Sequence, residues 1–259
     1  MQRNWPSIIG ISGAIGSGKD TLTLALCSSN KNYVHKKFAT KLREVAAIIT
    51  GIDASSMLSR GDKSQLISKK ILRIIQSPDL ISPRLIKATK EILAILPDNK
   101  TIESMAEVLS CFPMDGLPTI GRLLQILGTE CFRKYLGPNI WAEALFTEWE
   151  TTGRKPMIIS DVRFTNEAEA IKARNGFIFQ IKRSSKNQKS HKAKILSDGR
   201  TSTHSSEVSL PNNFIDAILH NNKSEQKLVK NASKILDKQI RKKKWFTRFL
   251  QNHTHTLIN

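Results

Sequence analysis

Along the first fifty positions, the spacing of apolar residues changes between the pattern of a β-strand and the pattern of an α-helix. Each change marks the boundary of a predicted strand or helix. Residues 7–12 form a short apolar run of the kind that a buried strand shows, and a helix-like run begins at Thr21. A glycine-rich turn separates the two runs. A second candidate strand covers residues 33–38, and a helix over residues 41–50 follows it. The chain therefore begins as strand, turn, helix, strand and helix.

Residues 51–118 have a different pattern, because leucine and isoleucine recur there at helical spacing while five prolines divide the run. This pattern predicts a helical subdomain inserted after the second strand rather than a continuation of a sheet. Another helix is predicted over residues 122–135, and the next one begins near Pro138 and ends near Glu150.

The rest of the chain returns to strands. The predicted elements are strands at 157–160, 177–181 and 214–219, a helix at 166–174 and a basic amphipathic helix at 224–244. Strands that alternate with helices favour a parallel sheet with helices on both faces. We therefore expect an α/β fold built on a parallel sheet flanked by helices.

The turn from Gly13 to Thr21 has the spacing G-x-x-x-x-G-K of a phosphate-binding loop and lies between a strand and a helix. Backbone N–H groups and the helix dipole of such a turn hold a phosphate chain, and Lys19 would reach the β- and γ-phosphates. Asp20 stands where GTPases carry the Ser or Thr that ligates Mg²⁺, and the hydroxyl comes one position later. The loop therefore indicates a nucleoside triphosphate site and points away from GTPases, with an ordinary glycine-rich turn as the alternative.

The charge of the chain indicates anionic partners. The formal net charge is +19 and the pI is about 10.0, which attracts nucleotides, nucleic acid or an anionic membrane surface. Residues 182–200 carry seven basic residues against one acid, and residues 223–248 carry ten against two. Such runs are also what a solvated face shows. Charge alone does not choose between these partners.

Cysteine content and hydropathy bear on the compartment. Three widely spaced cysteines offer neither a disulfide framework nor the spacing of a metal site, which favours a reducing compartment. No apolar leader precedes the first strand, and no apolar run approaches the ~20 residues that span a bilayer. We expect a cytoplasmic protein.

Basic residues at the ends of strands and helices are candidates for holding a second phosphate. Arg163 follows Asp161 at the end of a predicted strand, where ligands of open α/β sheets bind, although the two residues could equally form a surface pair. Arg183 has the same position after the next strand. Lys41 and Arg43 follow the second strand, and they are either acceptor ligands or solvated residues of a helix.

The helix predicted over residues 122–135 carries a polar stripe. Arg122 and Arg133 are eleven residues apart, close to three turns at about 100° per residue, so they are predicted to share a face with Gln125 nearby. This stripe either lines a cleft or faces water. Trp141 is a candidate for stacking on a base, with a position in the core as the alternative.

Five segments, taken together and in this order, resemble the phage-type deoxynucleoside monophosphate kinase family. They are Gly16-Ser17-Gly18-Lys19-Asp20-Thr21, Phe38-Ala39-Thr40-Lys41-Leu42-Arg43, Arg122-Leu123-Leu124-Gln125-Ile126-Leu127-Gly128-Thr129-Glu130 with Arg133 and Trp141 downstream, Asp161-Val162-Arg163-Phe164-Thr165-Asn166-Glu167, and His204-Ser205-Ser206-Glu207. The third and fourth segments are the specific ones.

The resemblance implies a P-loop kinase fold with a helical acceptor-binding insertion, which uses ATP and Mg²⁺ to convert a dNMP to a dNDP in the cytoplasm, the host cytoplasm for a viral chain. It implies Lys19, Arg163 and Arg133 as catalytic residues, and Asp20 as the residue that holds Mg²⁺ through water. The residues implied for ATP are Gly13, Ile15, Gly16, Ser17, Gly18, Lys19, Asp20 and Thr21. Those implied for the deoxynucleotide are Arg133, Trp141, Asp161, Arg163 and Glu167, with Lys41 and Arg43 as further assignments. We add Arg122, Gln125, Thr165 and Arg183 as candidates for the same site.

The expected organisation is a kinase-like domain over residues 1–238 and a basic tail over residues 239–259. The domain would contain the helical insertion at about 51–118 and a mobile basic loop at about 184–203. Two other functions fit the phosphate loop: a kinase for another acceptor, such as dephospho-CoA or phosphomevalonate, and a non-kinase P-loop protein that binds nucleic acid. The tail mixes cations with aromatic residues, so weak contact with an anionic membrane or with nucleic acid is a further expectation.

Overall fold

The computed structural model describes residues 5–14, 16–114, 116–183 and 210–254, with the backbone alone for residue 60 and from residue 240 on. Contacts between residues divide the chain into two compact units. The sheet unit holds the described residues up to Lys37, from Gly153 to Arg183 and from Leu210 on. The helical unit holds Phe38–Thr152.

Strands and helices occupy most of the described residues. The strands are β1 (Ile8–Gly13), β2 (Val34–Lys36), β3 (Met157–Ile159), β4 (Phe177–Lys182) and β5 (Ala217–His220). The α-helices are α1 (Lys19–Ser29), α2 (Ala39–Thr50), α3 (Arg60–Ser64), α4 (Lys69–Gln76), α5 (Pro78–Leu93), α6 (Asn99–Ser110), α7 (Ile120–Gln125), α8 (Phe132–Leu136), α9 (Ile140–Thr151), α10 (Thr165–Ala173) and α11 (Glu225–Thr254). A π-helix, Ile126–Cys131, joins α7 to α8, and 3₁₀ turns cover Ala54–Met57 and Asn212–Phe214.

The five strands form one parallel sheet in the order β2-β3-β1-β4-β5. Strand β1 lies at its centre, where Ile9 pairs with Ile158 of β3 and with Phe177 of β4. Because parallel strands are covered on both faces, the central strands are apolar at nearly every position, and β1 is buried over almost its whole length. The predicted α/β fold, a parallel sheet flanked by helices, is confirmed.

Alternate residues of β1 face different helices. Ile9 packs in one cluster with Leu22 of α1 and Leu228 of α11. The next residue, Gly10, faces the other side, where an added Cβ would lie 2.9 Å from Ile171 of α10. The carboxyl ends of all five strands lie at one edge of the sheet, because the strands are parallel, and the residues that follow them are therefore neighbours.

The helical unit contains the predicted insertion, 51–118, together with the helices on either side of it. Helix α5 packs against α2 and α6, and Ile81 and Leu85 of α5 are fully buried. Pro83 was expected to divide this run, but it lies inside α5. It lies about one and a half turns from the start of the helix, and its missing N–H removes one helical hydrogen bond while the apolar face on both sides of it stays buried.

Helix α11 is longer than the predicted 224–244 and runs to Thr254. Its first half is anchored in the core of the sheet unit through Leu228, Ala232 and Leu236. The predicted tail therefore begins inside a helix rather than after one. In the part of the chain that the structure describes, no helix is long and apolar enough to cross a membrane.

Candidate functional site

The turn between β1 and α1, the phosphate loop, takes a backbone path that only glycine follows without strain. Gly13 and Gly18 have φ angles of 150° and 100°, in the region that L side chains avoid. Space is limited as well, because a Cβ on Gly13 would lie 2.6 Å from the Ile181 carbonyl oxygen and one on Gly18 would lie 2.5 Å from Asn221 Nδ2. The glycine spacing is therefore required by the fold of the loop. Ile15, also predicted for ATP, lies outside the described residues.

Lys19 is held inside this loop. Its ammonium group donates to the carbonyl oxygens of Gly13 at 2.7 Å and of Ala14 at 2.8 Å. Both acceptors belong to the loop itself, so the positive charge lies in the turn rather than in solvent. An anion bound to the loop would meet this charge directly.

Ser17 contributes a hydroxyl that has no hydrogen-bond partner among the described residues. The residue is 3% exposed, and its Oγ is one of the buried polar atoms of the described residues that make no hydrogen bond. Its backbone N–H donates to the Ala14 carbonyl oxygen at 3.2 Å. A buried hydroxyl without a partner costs free energy, and a ligand oxygen in the loop would satisfy it. These properties fit a polyphosphate.

Asp20 is the centre of a polar network at the carboxyl edge of the sheet. Lys37 Nζ, which follows β2, lies 2.7 Å from Asp20 Oδ1, and the Ser160 hydroxyl, which follows β3, donates to the same oxygen at 2.9 Å. His35 Nε2 lies 2.7 Å from Ser160 Oγ. Burial works to raise the pKa of Asp20, but the hydrogen bond and charge of Lys37, with help from Ser160 and His35, outweigh it and hold the pKa below its usual value. Asp20 is thus a carboxylate in a fixed orientation.

The Asp20 carboxylate fits the predicted role toward Mg²⁺. Its side chain is 60% exposed, so water can reach it although Lys37 and Ser160 contact it. The described residues contain no group of three or more His, Cys, Asp or Glu side chains that could enclose a metal ion. Mg²⁺ is commonly held by one or two carboxylates, waters and substrate phosphates rather than by a protein cage, so a single carboxylate beside the loop is compatible with it.

The segment after β3 places a second group of predicted residues at the same edge of the sheet. Asp161 is buried, Arg163 is half-buried and Thr165 is exposed. Glu167 is buried, and its Oε2 accepts from the backbone N–H groups of Arg163 at 2.8 Å and Phe164 at 3.1 Å. Glu167 therefore caps the start of α10 and fixes the backbone from which the Arg163 side chain projects.

Arg183, predicted to bind the substrate, contacts the phosphate loop. It follows β4, and its Nη1 donates to the Gly16 carbonyl oxygen at 3.3 Å. The structure therefore brings Arg183 together with Lys19 and Asp20 around one turn of the chain.

In the helical unit, the segment 120–136 differs from the predicted regular helix. Residues 126–131 form a π-helix, which has more residues per turn than the α-helix. The prediction that Arg122 and Arg133 share a face was therefore wrong, because it assumed about 100° per residue throughout. Arg122 is 6% exposed and its Nη1 donates to Gln125 Oε1 at 3.0 Å, whereas Arg133 Nη1 donates to the Pro138 carbonyl oxygen at 2.6 Å.

Trp141 has the contacts of a core residue. It is 3% exposed, its Nε1 donates to the Gly128 carbonyl oxygen at 2.9 Å, and its ring lies against Phe132 with centroids 5.4 Å apart. Gly128 has little room for a side chain, because a Cβ there would lie 2.9 Å from Leu42. The core alternative of the sequence analysis accounts for these contacts, and stacking of Trp141 on a base stays a prediction.

Lys41 and Arg43 are also engaged within the helical unit. Lys41 Nζ lies 2.9 Å from Glu44 and 3.2 Å from Glu148 of α9. Burial works to lower the pKa of Lys41, and the hydrogen bonds and charges of the two glutamates outweigh it, so the pKa lies above its usual value. Arg43 is buried, and its Nη2 donates to Thr40 Oγ1 at 3.1 Å. The two carboxylates already neutralise Lys41, which favours a structural role.

Four residues of the site were missed by the sequence analysis: His35, Lys37, Ser160 and Asn221. Lys37, Ser160 and Asn221 directly follow β2, β3 and β5. Arg183, which the sequence did predict, directly follows β4 in the same way. Polar residues at the carboxyl ends of strands were the available signal, but the predicted strands 33–38 and 157–160 extended over Lys37 and Ser160 and so placed both inside a strand.

Comparison with known proteins agrees with this geometry. Residues 58–232, more than half of the chain, match the model of the deoxynucleotide monophosphate kinase family. This chain belongs to the deoxynucleotide monophosphate kinase family. Over 182 residues it is 25% identical to a deoxynucleoside-5'-monophosphate kinase of Escherichia phage T5. The aligned region covers 65% of this chain and 72% of the relative. The family match begins after the phosphate loop, so the loop geometry is an independent observation.

Proposed function

We propose that this chain transfers the γ-phosphoryl group of ATP to a deoxynucleoside monophosphate, which yields a dNDP and ADP. The observation that carries the proposal is the phosphate loop, with Lys19 held between two loop carbonyl oxygens, in a member of a kinase family. Phosphoryl transfer needs positioning and charge stabilisation more than covalent chemistry, and these are what the loop is suited to supply.

On the donor side, the backbone from Gly13 to Thr21 binds the ATP phosphates. Lys19 moves from the loop carbonyls to the β- and γ-phosphates and neutralises the charge that develops there. Thr21 contacts the phosphates. Asp20 would hold Mg²⁺ through water, and the ion would supply positive charge that stabilises the transferring phosphoryl group. Support for this assignment comes from the buried Ser17 hydroxyl and from the fixed orientation of Asp20.

On the acceptor side, Arg163 and Arg133 hold the phosphate of the deoxynucleotide or the charge of the transition state. Arg163 is half-buried at the carboxyl edge of the sheet, and the Glu167 cap fixes its backbone. Arg133 is half-buried in the helical unit, and its Nη1 donates to the Pro138 carbonyl oxygen. The other residues that we assign to the acceptor are Asp161, Thr165, Glu167, Arg183, Arg122, Gln125, Trp141, Lys41 and Arg43.

Within this set, two classes of role follow from the contacts. Thr165 is exposed and can contact the substrate itself. Other residues act through their neighbours: the buried Trp141 supports the π-helix, and the ion pair of the half-buried Lys41 with Glu148 joins α2 to α9. We assign residues 1–238 to the kinase domain and residues 239–259 to a basic tail.

The experiment is a panel of acceptors with ATP and Mg²⁺. ADP formation is measured with dTMP, dGMP, dCMP, dAMP and their ribose counterparts, and with dephospho-CoA and phosphomevalonate. We expect turnover with one or more deoxynucleotides and little with the last two compounds. ADP release that does not depend on any nucleoside monophosphate would contradict the proposal, and a preference for dephospho-CoA would replace it with the rival kinase.

We propose that the tail has a second role, weak contact with an anionic membrane or with nucleic acid. Its support is that α11 continues as a helix to Thr254, through the run Lys242-Lys243-Lys244-Trp245-Phe246 that mixes cations with aromatic residues. Two measurements test this role on the full chain and on a chain ending at Lys238: the fraction that sediments with anionic liposomes, and the affinity for DNA at several salt concentrations. Equal binding by both chains would contradict this role.

A further inference from the structure

The turn after β5 contacts the phosphate loop, although 204 positions separate the two contacting residues in the sequence. Asn221 directly follows β5, and its backbone N–H donates to the Lys182 carbonyl oxygen at 2.8 Å, which continues the pairing of β5 with β4. Its side-chain Nδ2 donates to the Ser17 carbonyl oxygen at 2.8 Å. The residue is half-buried, so the last strand of the sheet places one amide group against one peptide of the loop.

This hydrogen bond determines the direction of a second group in the loop. The C=O of Ser17 and the N–H of Gly18 belong to the same planar trans peptide and point in opposite directions. A donor that holds the Ser17 oxygen on the outside of the loop therefore holds the Gly18 N–H on the inside, where a phosphate would bind.

The amide of Asn221 also occupies the space beside Gly18. A Cβ on Gly18 would lie 2.5 Å from Asn221 Nδ2, so the amide packs directly over the α-carbon. Gly18 has a φ of 100°, and the peptide that precedes it would be free to rotate without an external contact. A side-chain amide can supply that contact because it donates to a carbonyl oxygen and carries no charge toward the phosphates.

We propose that Asn221 is a positioning residue for the ATP site: it orients the Ser17–Gly18 peptide so that the Gly18 N–H is available to the bound phosphates. The inference rests on the proposed function of the phosphate loop. Asn221 acts through the loop backbone and makes no contact with the deoxynucleotide. Its loss therefore weakens ATP binding and leaves acceptor binding unchanged.

The test uses the full chain and the variants Asn221→Asp, Asn221→Ala and Asn222→Asp. ATP affinity is measured by titration calorimetry, and KM is measured for ATP and for the best dNMP. Asn221→Asp keeps the shape but replaces the donor with a charge that repels the Ser17 oxygen. We expect its Kd and KM for ATP to rise at least about tenfold, with a change below about twofold in KM for the dNMP. Asn221→Ala should raise them about 2- to 10-fold.

Asn222→Asp is the matched control, because it adds the same charge one residue away at an exposed position. Its effect on ATP affinity should be below about threefold. Thermal unfolding of each variant checks the fold, and Asn221→Ala replaces Asn221→Asp if the latter does not fold. Wild-type ATP affinity in both Asn221 variants, or an equal rise in KM for both substrates, would overturn the inference. Failure of the wild-type chain to bind ATP would instead contradict the proposed function.

Discussion

The phosphate loop and the helical segment 120–136 each carry a sequence motif of about nine residues. The two regions differ in which of their atoms are available to a ligand. In the loop, most of the groups that would bind phosphate are backbone N–H groups, to which Lys19 and Ser17 add side chains, and positive φ angles at Gly13, Gly16 and Gly18 set the directions of the backbone groups. In the helical segment, the predicted groups are side chains, and the protein itself already uses them: Arg122 bonds Gln125, and Arg133 bonds a carbonyl oxygen.

The difference follows from how far each geometry depends on the rest of the chain. The short turn between β1 and α1 is nearly determined by its own glycines. The direction of a side chain on a helix depends on the local helix type and on every neighbour that packs against it. Trp141 illustrates this, because its position in the core depends on Phe132, on Gly128 and on the π-helix between them.

Replacement of Lys19 should have the largest effect. Lys19→Ala removes the ammonium group that is held inside the loop, and kcat for dNDP formation should fall about 10²- to 10³-fold. The measurement is initial-rate ADP formation with the best acceptor. Lys31→Ala, at an exposed lysine in the same unit, is the control and should keep wild-type activity. Substantial turnover by Lys19→Ala would mean that this loop is not the donor site.

Two glycines of the loop offer a matched pair. Gly18→Ala strains the backbone and displaces the Asn221 amide, so ATP affinity should fall about 10- to 100-fold. Gly16→Ala has a similar positive φ but meets nothing within 4 Å, so strain alone should act and the loss should stay below about tenfold. Titration calorimetry with ATP measures both. Equal losses would show that the contact with Asn221 is unimportant.

In the helical segment, Trp141→Phe separates a core role from a substrate role. The variant loses the hydrogen bond to Gly128 and leaves a small cavity, so the free energy of unfolding should fall about 1–3 kcal/mol. Denaturant unfolding measures this, with Trp149→Phe in the same helix as the half-buried control. A large rise in KM for the dNMP at unchanged stability would instead support stacking on a base and would remove the contrast between the two regions.

Glu167→Gln should have the smallest effect. It weakens the cap on the Arg163 and Phe164 N–H groups, so the free energy of unfolding should fall about 1 kcal/mol, with little change in KM for the dNMP. Glu169→Gln, at an exposed position of α10, is the control for loss of charge. If KM for the dNMP rises more than about tenfold while stability is unchanged, Glu167 binds the substrate directly.

The sequence was sufficient for the elements whose signal is local. All five strands were predicted, most of them from short apolar runs, and the alternation of strands with helices predicted the parallel sheet. Pro83 and the π-helix were not predictable in the same way. A proline is tolerated in α5 because Ile81 and Leu85 on both sides of it are buried, and the pattern of apolar residues in segment 120–136 does not distinguish α from π turns.

By itself, the sequence determined the class of fold, the phosphate loop and the position of Lys19, because strand period, glycine spacing and a single basic residue act over a few neighbouring positions. Only the tertiary structure decided which polar residues surround the loop. Lys37 and Ser160 follow β2 and β3 and meet at Asp20, and Asn221 follows β5 and meets Ser17, although 204 positions separate Asn221 from Ser17 in the chain. These contacts depend on the order of the strands in the sheet, which is set by packing between distant segments and not by any local pattern.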